Sequence, residues 1–139
     1  MAETARDVMT RNPAAVEMTS TVQEAAQMMR ERDIGDILVM DGGSLAGILT
    51  DRDIVVRGVA ENRDPKTTKV SEICSRELYT VGAGDSLHNV VDLMMRHHVR
   101  RVPVIESERP VGIIAIGDLA VERDPKSALS EISGADPNR

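Results

Sequence analysis

The sequence predicts an α/β fold in which a β-α-β-β-α unit occurs twice. The first observation is internal similarity: with an offset of 65 residues, Val8–Val55 aligns with Ile73–Ala120 without a gap. Only seven of the 48 aligned pairs are identical, but the apolar positions agree far more widely. The further matched apolar pairs are Val22/Leu87, Ala25/Val90, Met28/Leu93, Ile34/Val99, Ile37/Val102, Met40/Ile105, Leu49/Ile114 and Ile54/Leu119.

The second observation is that each copy contains the same start and stop signals in the same order. A short extended segment, Ala14–Val16 or Tyr79–Val81, precedes a helix predicted over Thr21–Asp33 or Ser86–His98. Apolar residues at spacings of three and four predict one buried stripe on the first helix. Ser20 to Gln23 resembles a capping box, and either Asp85 or Ser86 is expected to cap the second helix.

A hairpin and a second helix complete each copy. The hairpin strands are predicted at Ile37–Met40 and Leu45–Leu49, and at Val102–Ile105 and Val111–Ile116. Residues 41–44 and 106–109 form the turns. The second helix is predicted from about Asp51 to Glu61 in copy one, and from Gly117 to before Asp124 in copy two. The resulting division is residues 5–62 and 70–123 for the two domains, with a linker at 63–69 and a polar tail at 124–139.

Composition excludes several function classes. The 139 residues carry a net charge of −6, which disfavours general binding to nucleic acids or membrane surfaces. Tyr79 is the sole aromatic residue, so no stacking platform for single-stranded nucleic acid is expected. No apolar run approaches the roughly 20 residues of a membrane span, and no signal peptide is recognisable. We therefore expect a cytoplasmic protein.

Neither a metal site nor a catalytic site is predicted. Cys74 is the single cysteine, which excludes an intramolecular disulfide and a multi-cysteine zinc site. His97 and His98 are adjacent on a helix and point about 100° apart, so they do not converge on one ion. No nucleophile–base arrangement stands out, and we expect no enzyme activity. A redox role for Cys74 remains a weaker alternative.

Several segments together resemble tandem CBS domains, the regulatory modules named for cystathionine β-synthase. They are residues 7–10, Gly47–Asp53, Val99–Val104 and Gly112–Asp118, and the resemblance extends over about residues 5–123. Residues 49–55 with 101–105 are similar to the stand-alone, hypoxic-response-type members. The resemblance implies two repeats packed sheet to sheet about a pseudo-twofold axis, homodimers, and two clefts that bind AMP, ADP, ATP, NAD or S-adenosylmethionine.

The resemblance also implies a main nucleotide site. Thr50, near a helix N-terminus, is expected to face phosphate, and Asp53 is expected to bind the ribose hydroxyls. Arg101, or alternatively Arg100, is expected near phosphate, and Pro103 beside the adenine. The full predicted set is Ile48, Thr50, Asp53, Leu78, Tyr79, Arg101, Val102 and Pro103.

The second cleft is expected to bind a nucleoside or nothing. Asp118 is retained there, but Ala115 replaces the hydroxyl residue. Asp36 takes the place of Arg101, and Leu38 that of Pro103, so a carboxylate would repel phosphate. The residues assigned to this cleft are Asp118, Ala14, Asp36 and Leu38.

The sequence leaves two hypotheses about the function open. One is a regulatory module that senses an adenine nucleotide and signals to an unknown downstream protein by changing conformation. The alternative is a CBS protein whose clefts remain empty and which acts as an interaction scaffold in a stress response. Asp53 and Thr50 could serve only as helix caps, as first-turn acids and hydroxyls often do.

Overall fold

The structure is a computed structural model that describes residues 4–123, so the predicted tail at 124–139 lies outside the described residues. The chain forms two compact units. The first-repeat unit comprises residues 14–78, and the second-repeat unit comprises residues 4–13 and 79–123. The units therefore do not coincide with the two repeats of the sequence, because residues 5–13 lie in the first repeat of the sequence but belong to the second-repeat unit.

The predicted β-α-β-β-α order is confirmed in both units, with small shifts at the element ends. Two short elements at the start of the chain, α1 and β1, were not predicted. The helices are α1 Ala5–Val8, α2 Val22–Arg32, α3 Asp51–Asp53, α4 Leu87–His97 and α5 Ile116–Arg123. The strands are β1 Thr10–Arg11, β2 Ala15–Glu17, β3 Asp36–Asp41, β4 Ser44–Thr50, β5 Val81–Gly82, β6 Arg101–Glu106 and β7 Arg109–Ala115.

Each unit has one mixed sheet around an antiparallel hairpin. In the first-repeat unit the strand order is β2-β3-β4, and in the second-repeat unit it is β1-β7-β6-β5. β2 and β5 each run parallel to the first strand of the hairpin. One side chain in two along the hairpin faces a helix-covered core, as period-two alternation requires. The two cores pair Ile37, Val39 and Leu49 with α2, and Val102, Val104 and Ile114 with α4.

The long helices begin and end at specific local signals. Thr21, one residue after the predicted capping box at Ser20, caps α2 by accepting from Glu24 N–H at 3.1 Å. Of the two candidates for α4, Ser86 is the cap and accepts from Asn89 N–H at 3.1 Å. Asp85 instead accepts from Gly82 N–H. Each helix ends at a residue whose backbone has the left-handed αL conformation, Asp33 for α2 and His98 for α4.

Within each unit, the hairpin of one sequence repeat pairs with the segment that leads into the other repeat. β1 pairs with β7 through Thr10 and Ile113, whereas Ser75 forms the equivalent bridge to Ile48 on β4. The bridges Thr4–Ser86 and Lys69–Thr21 repeat the same pairing at the helix starts. All of these positions are related by the 65-residue offset of the sequence. Each hairpin is therefore completed by the lead-in of the other repeat.

Two equivalent glycines make this pairing possible. A Cβ on Gly47 would lie 2.6 Å from the Ser75 carbonyl oxygen and 3.2 Å from Cys74 Sγ. A Cβ on Gly112 would clash with Met9 Sδ and would lie 2.9 Å from the Thr10 oxygen. Any side chain would push the lead-in segment away from its strand, so glycine is needed for the close approach of the backbones.

One prediction for copy one needs correction. The helix expected from Asp51 to Glu61 is a single α-turn, α3, followed by a π-helix over Ile54–Val59. The predicted linker at 63–69 packs against the start of α2: Val22 N–H donates to Thr68 O, and Gln23 N–H donates to Pro65 O. Thr68 is buried. Within residues 4–123, no helix has the length and apolarity needed to cross a bilayer.

Candidate functional site

The most ordered polar arrangement among the predicted site residues lies where β4 meets α3. Thr50 Oγ1 accepts from Asp53 N–H at 3.1 Å, and Asp53 Oδ2 accepts from Thr50 N–H at 2.9 Å. This reciprocal pair is a capping box. Both residues are half-buried, and their mutual hydrogen bonds hold their polar atoms in place. The structural role of Thr50 and Asp53 is therefore established.

The capping box still leaves hydrogen-bonding capacity. A carboxylate offers about four lone-pair positions on two oxygens, and the cap uses Oδ2. The Thr50 hydroxyl accepts from the backbone, so its own proton can be donated elsewhere. The pair can thus accept from ribose hydroxyls through Asp53 and donate to a phosphate oxygen through Thr50.

The equivalent position in the second-repeat unit keeps only half of this arrangement. Asp118 Oδ2 accepts from Ala115 N–H at 2.8 Å, which repeats the bond between Asp53 and Thr50 N–H. Ala115 has no hydroxyl with which to return the bond. The acid is retained as a cap at the start of α5, while the group suited to phosphate is missing.

Strand register places several predicted residues on one face of the first-repeat sheet. Asp36 pairs with Thr50, and Leu38 pairs with Ile48. Because side chains alternate along a strand, this face is opposite the one that Ile37, Val39 and Leu49 present to α2. Ile48 and Thr50, two candidates for the main cleft, are therefore cross-strand neighbours of Leu38 and Asp36 on the same face of the sheet. Leu38 and Asp36 are the residues predicted for the second cleft.

The same register occurs in the second-repeat unit with different chemistry. Arg101 pairs with Ala115, and Pro103 pairs with Ile113. A half-buried guanidinium therefore stands at the strand end where the first-repeat unit has Asp36. Val102 belongs to the opposite face and is fully buried in the core. Any ligand contact from Val102 must therefore come from its backbone.

Tyr79 has a partner that the sequence did not suggest. Its ring stacks on His97, with ring centroids 3.8 Å apart and planes inclined by 13°. Both residues belong to the second-repeat unit and are half-buried. They are 18 positions apart, and no helix or strand period relates them, so sequence reasoning had no signal for the pair.

The predicted main site is divided between the two units. The first-repeat unit contains Ile48, Thr50, Asp53 and Leu78, and the second-repeat unit contains Tyr79, Arg101, Val102 and Pro103. The second predicted site is divided in the same way, with Ala14, Asp36 and Leu38 in the first-repeat unit and Asp118 in the second. Ala14 is buried, and its carbonyl accepts from Leu38 N–H at 2.9 Å.

Cys74 is a packing residue in this structure. It is 8% exposed and belongs to the core of the first-repeat unit. Burial raises the pKa of the Cys74 thiol above its ordinary value, and the nearby Arg76 only partly opposes that shift. A thiol with a raised pKa is poorly nucleophilic at neutral pH, so the redox hypothesis gains no support.

Two other features of residues 4–123 do not provide an alternative site. Within that range, no group of three or more His, Cys, Asp or Glu side chains converges as metal ligands would. A cavity between Val22, Ile54, Val59 and Pro65 measures about 30 Å³. That volume suits about one water molecule and is far too small for a purine.

Comparison with known proteins identifies the family. The sequence-family model of the CBS domain matches residues 5–59 and matches residues 70–123 a second time. The CBS domain-containing protein YhcV of Bacillus subtilis is 42% identical over 132 residues, which cover 92% of this chain and 94% of that protein. Most of the chain therefore has its counterpart in a protein of similar length.

Two solved structures extend the comparison. Hypoxic Response Protein I, solved with two coordinated zinc ions, is 41% identical with a TM-score of 0.75, covering 88% of this chain and 99% of that one. The CBS domain pair of MJ0100, in complex with 5′-methylthioadenosine and S-adenosyl-L-methionine, is 25% identical with a TM-score of 0.78. That match covers 89% of this chain and 98% of the MJ0100 pair.

Proposed function

Because this chain belongs to the CBS-domain family, as a tandem pair of the hypoxic-response type, we propose that it is a regulatory module that binds an adenine nucleotide. CBS pairs commonly bind adenosine ligands, and the ligands of the MJ0100 pair are of that class. The observation that carries the proposal is the Thr50–Asp53 pair, which is ordered by its own hydrogen bonds and retains unused polar capacity.

The proposed assignment follows the chemistry of each unit. Asp53 accepts the ribose hydroxyls and Thr50 donates to phosphate, in bonds worth about 1.5–3 kcal/mol each where one partner is charged. Arg101 supplies the cation for the phosphate and Tyr79 contacts the base, while Pro103, whose side chain is fully buried, contributes through its backbone. The missing hydroxyl at Ala115 restricts a second ligand to an uncharged nucleoside.

The protein would signal by a shift between conformations that bind the nucleotide with different affinities, and a downstream protein would recognise one of them. We further propose a homodimer. Val55 and Val59 in the π-helix are 58% and 69% exposed, and Met95 on α4 is 71% exposed, which is costly for large apolar side chains in water. Light scattering should give twice the chain mass, and a monomeric mass at roughly 50 μM, well above a micromolar Kd, would contradict the dimer.

A thermal-shift panel of AMP, ADP, ATP, NAD and S-adenosylmethionine tests the proposal. A ligand at about one hundred times its Kd should stabilise the protein by about 2.7 kcal/mol, which corresponds to a rise in Tm of several degrees. An external dye is needed, because a single tyrosine gives a weak signal.

The variant T50A/D53A should lose the shift, whereas D118A, which removes the equivalent cap bond in the other unit, should retain it. Unchanged calorimetric affinity in T50A/D53A would refute the site. A panel without any shift would favour the scaffold function, which is supported by the carboxylate of Asp36 beside the phosphate position.

A further inference from the structure

Tyr79 and His97 form a stacked pair of rings. The proposed nucleotide site uses the Tyr79 ring but gives His97 no role. The ring planes are nearly parallel and the centroids are 3.8 Å apart, so His97 covers one face of the phenol ring. Tyr79 immediately precedes β5, outside any helix or strand. A stacking partner restricts the rotamers of a tyrosine at such a position, and a ring that is ordered before binding loses less entropy when a ligand binds.

His97 is well suited to hold a neighbouring ring in place. It is the last residue of α4, whose Leu87, Val90 and Met94 are buried in the core. The helix end is closed by hydrogen bonds from His98 N–H and Val99 N–H to Met94 O. The imidazole therefore projects from a fixed helix terminus, whereas Tyr79 lies in an irregular segment.

We propose that His97 is a positioning residue for ligand binding: its imidazole fixes the Tyr79 ring as a platform, and the purine of an adenine nucleotide stacks on the opposite face. This inference rests on the proposed nucleotide binding and adds the residue that orients the base. The resulting column contains three rings, imidazole, phenol and purine, with His97 acting through Tyr79 and not touching the ligand. The purine is selected by its π-face, since ribose and phosphate offer none.

Calorimetric titration with AMP tests the inference. Base–aromatic stacking is worth about 1–3 kcal/mol, so Y79A should weaken AMP binding about 5- to 150-fold. H97A should weaken it less, by about 2- to 12-fold, the usual range for an aromatic pair. H97F keeps a flat ring behind Tyr79 and should restore most of the affinity. H88A, on the exposed first turn of the same helix, is the matched control and should bind AMP like the wild type.

The double variant Y79A/H97A separates positioning from other roles. If His97 acts through Tyr79, the double variant should bind AMP no more weakly than Y79A alone. If the double variant bound AMP more weakly than Y79A by the factor that H97A shows alone, the inference would be overturned. Tighter AMP binding by H97A would also overturn it, because it would mean that the imidazole competes with the base. Thermal unfolding of each variant shows whether it is folded under the conditions of the titration.

A ligand-free measurement accompanies the titration. Tyr79 is the only aromatic residue, so all intrinsic fluorescence near 300 nm reports on this ring. In H97A its anisotropy should fall and quenching by acrylamide should rise, and H97F should reverse both changes. Unchanged tyrosine anisotropy in H97A would overturn the inference.

The titration also distinguishes the failure of this inference from that of the proposed function. If AMP binding is lost in T50A/D53A but unaffected by Y79A, the nucleotide site stands and the stacking inference falls. If the wild type does not bind AMP, the inference is overturned together with AMP as the ligand.

Discussion

The end of β4 and the end of β7 share one backbone arrangement and differ in side chains. In both, a carboxylate three residues into the turn accepts from the backbone N–H of the last strand residue, at 2.9 Å from Asp53 and 2.8 Å from Asp118. Thr50 adds a second bond to the first site, whereas Ala115 adds none. Across the sheet, Asp36 stands beside Thr50 and Arg101 stands beside Ala115.

The difference indicates which residues can distinguish a phosphate site from its counterpart. The acid is present at both sites and makes the same cap bond at both, so it does not distinguish them. The hydroxyl and the neighbouring charge differ between the sites, although the backbone does not require them to differ. We therefore expect Thr50 and Arg101 to determine where phosphate binds, and the acids to stabilise both units.

The close strand contacts behind the two sites should give the largest stability effects. G47A should destabilise the protein by about 1–3 kcal/mol, since its Cβ would meet the Ser75 backbone oxygen at 2.6 Å. G112A should cost less, because its nearest contact is the flexible Met9 side chain, although Thr10 O at 2.9 Å still resists. Urea unfolding gives both values.

The matched control is G84A, since a Cβ on Gly84 has nothing within 4 Å. It should leave the free energy of unfolding within about 0.5 kcal/mol of the wild type. If G47A were no more destabilising than G84A, the close contact between Gly47 and the Ser75 backbone would not require glycine. The two hairpins would then not share the same tight pairing with their lead-in segments.

Exchanging the hydroxyl between the sites tests the comparison directly. T50A should destabilise the protein by about 1 kcal/mol, because it removes the bond to Asp53 N–H, while A115T should stabilise it by a similar or smaller amount by completing the box with Asp118. Urea unfolding of the two single variants measures both effects. A115T that is destabilising would show that the second site cannot accommodate the hydroxyl.

The smallest effect concerns the lead-in segments, where Lys69 N–H donates to Glu72 Oε2 at 2.7 Å and Thr4 N–H donates to Asp7 Oδ2 at 3.0 Å. The backbone bond from Lys69 lowers the pKa of Glu72 below its ordinary 4.5. A carboxyl with a lowered pKa in the folded state stabilises the protein above the unfolded pKa, and this is lost as the pH falls through the folded pKa.

E72Q should therefore be less stable than the wild type at neutral pH and should approach it as the pH falls well below 4.5 and Glu72 itself becomes protonated. The measurement is the urea midpoint at several pH values, with D7N as the counterpart in the other unit. A difference between E72Q and the wild type that stayed constant with pH would contradict the assignment of the shift to Glu72.

The sequence predicted most of the secondary structure because the signals are local. Apolar spacing located α2 and α4, and the β-branched runs located both hairpins. The caps were predicted to within one residue: Thr21 was found instead of Ser20, and Ser86 was chosen over Asp85. The π-helix at 54–59 was missed, because nothing in its apolar pattern distinguishes it from an α-helix.

The site was only partly predictable for a different reason. The hydroxyl and the acid of the Thr50–Asp53 motif are three residues apart, so their mutual bonds follow from the chain itself. Val102 was assigned to the ligand, yet Ile37 to Val39 and Val102 to Val104 are all buried, and such a run does not reveal which face each residue takes. His97 was considered only as a metal ligand, since its partner Tyr79 is distant in sequence.

The sequence by itself determined the two repeats, the β-α-β-β-α order and the positions where helices begin, since all of these depend on interactions within a few residues. Only the tertiary structure decided that residues 4–13 complete the second-repeat unit and that Ser75 pairs with Ile48. It also decided which strand residues face the core and that His97 stacks on Tyr79. These contacts join segments far apart in the chain, and their geometry depends on how whole strands and helices pack.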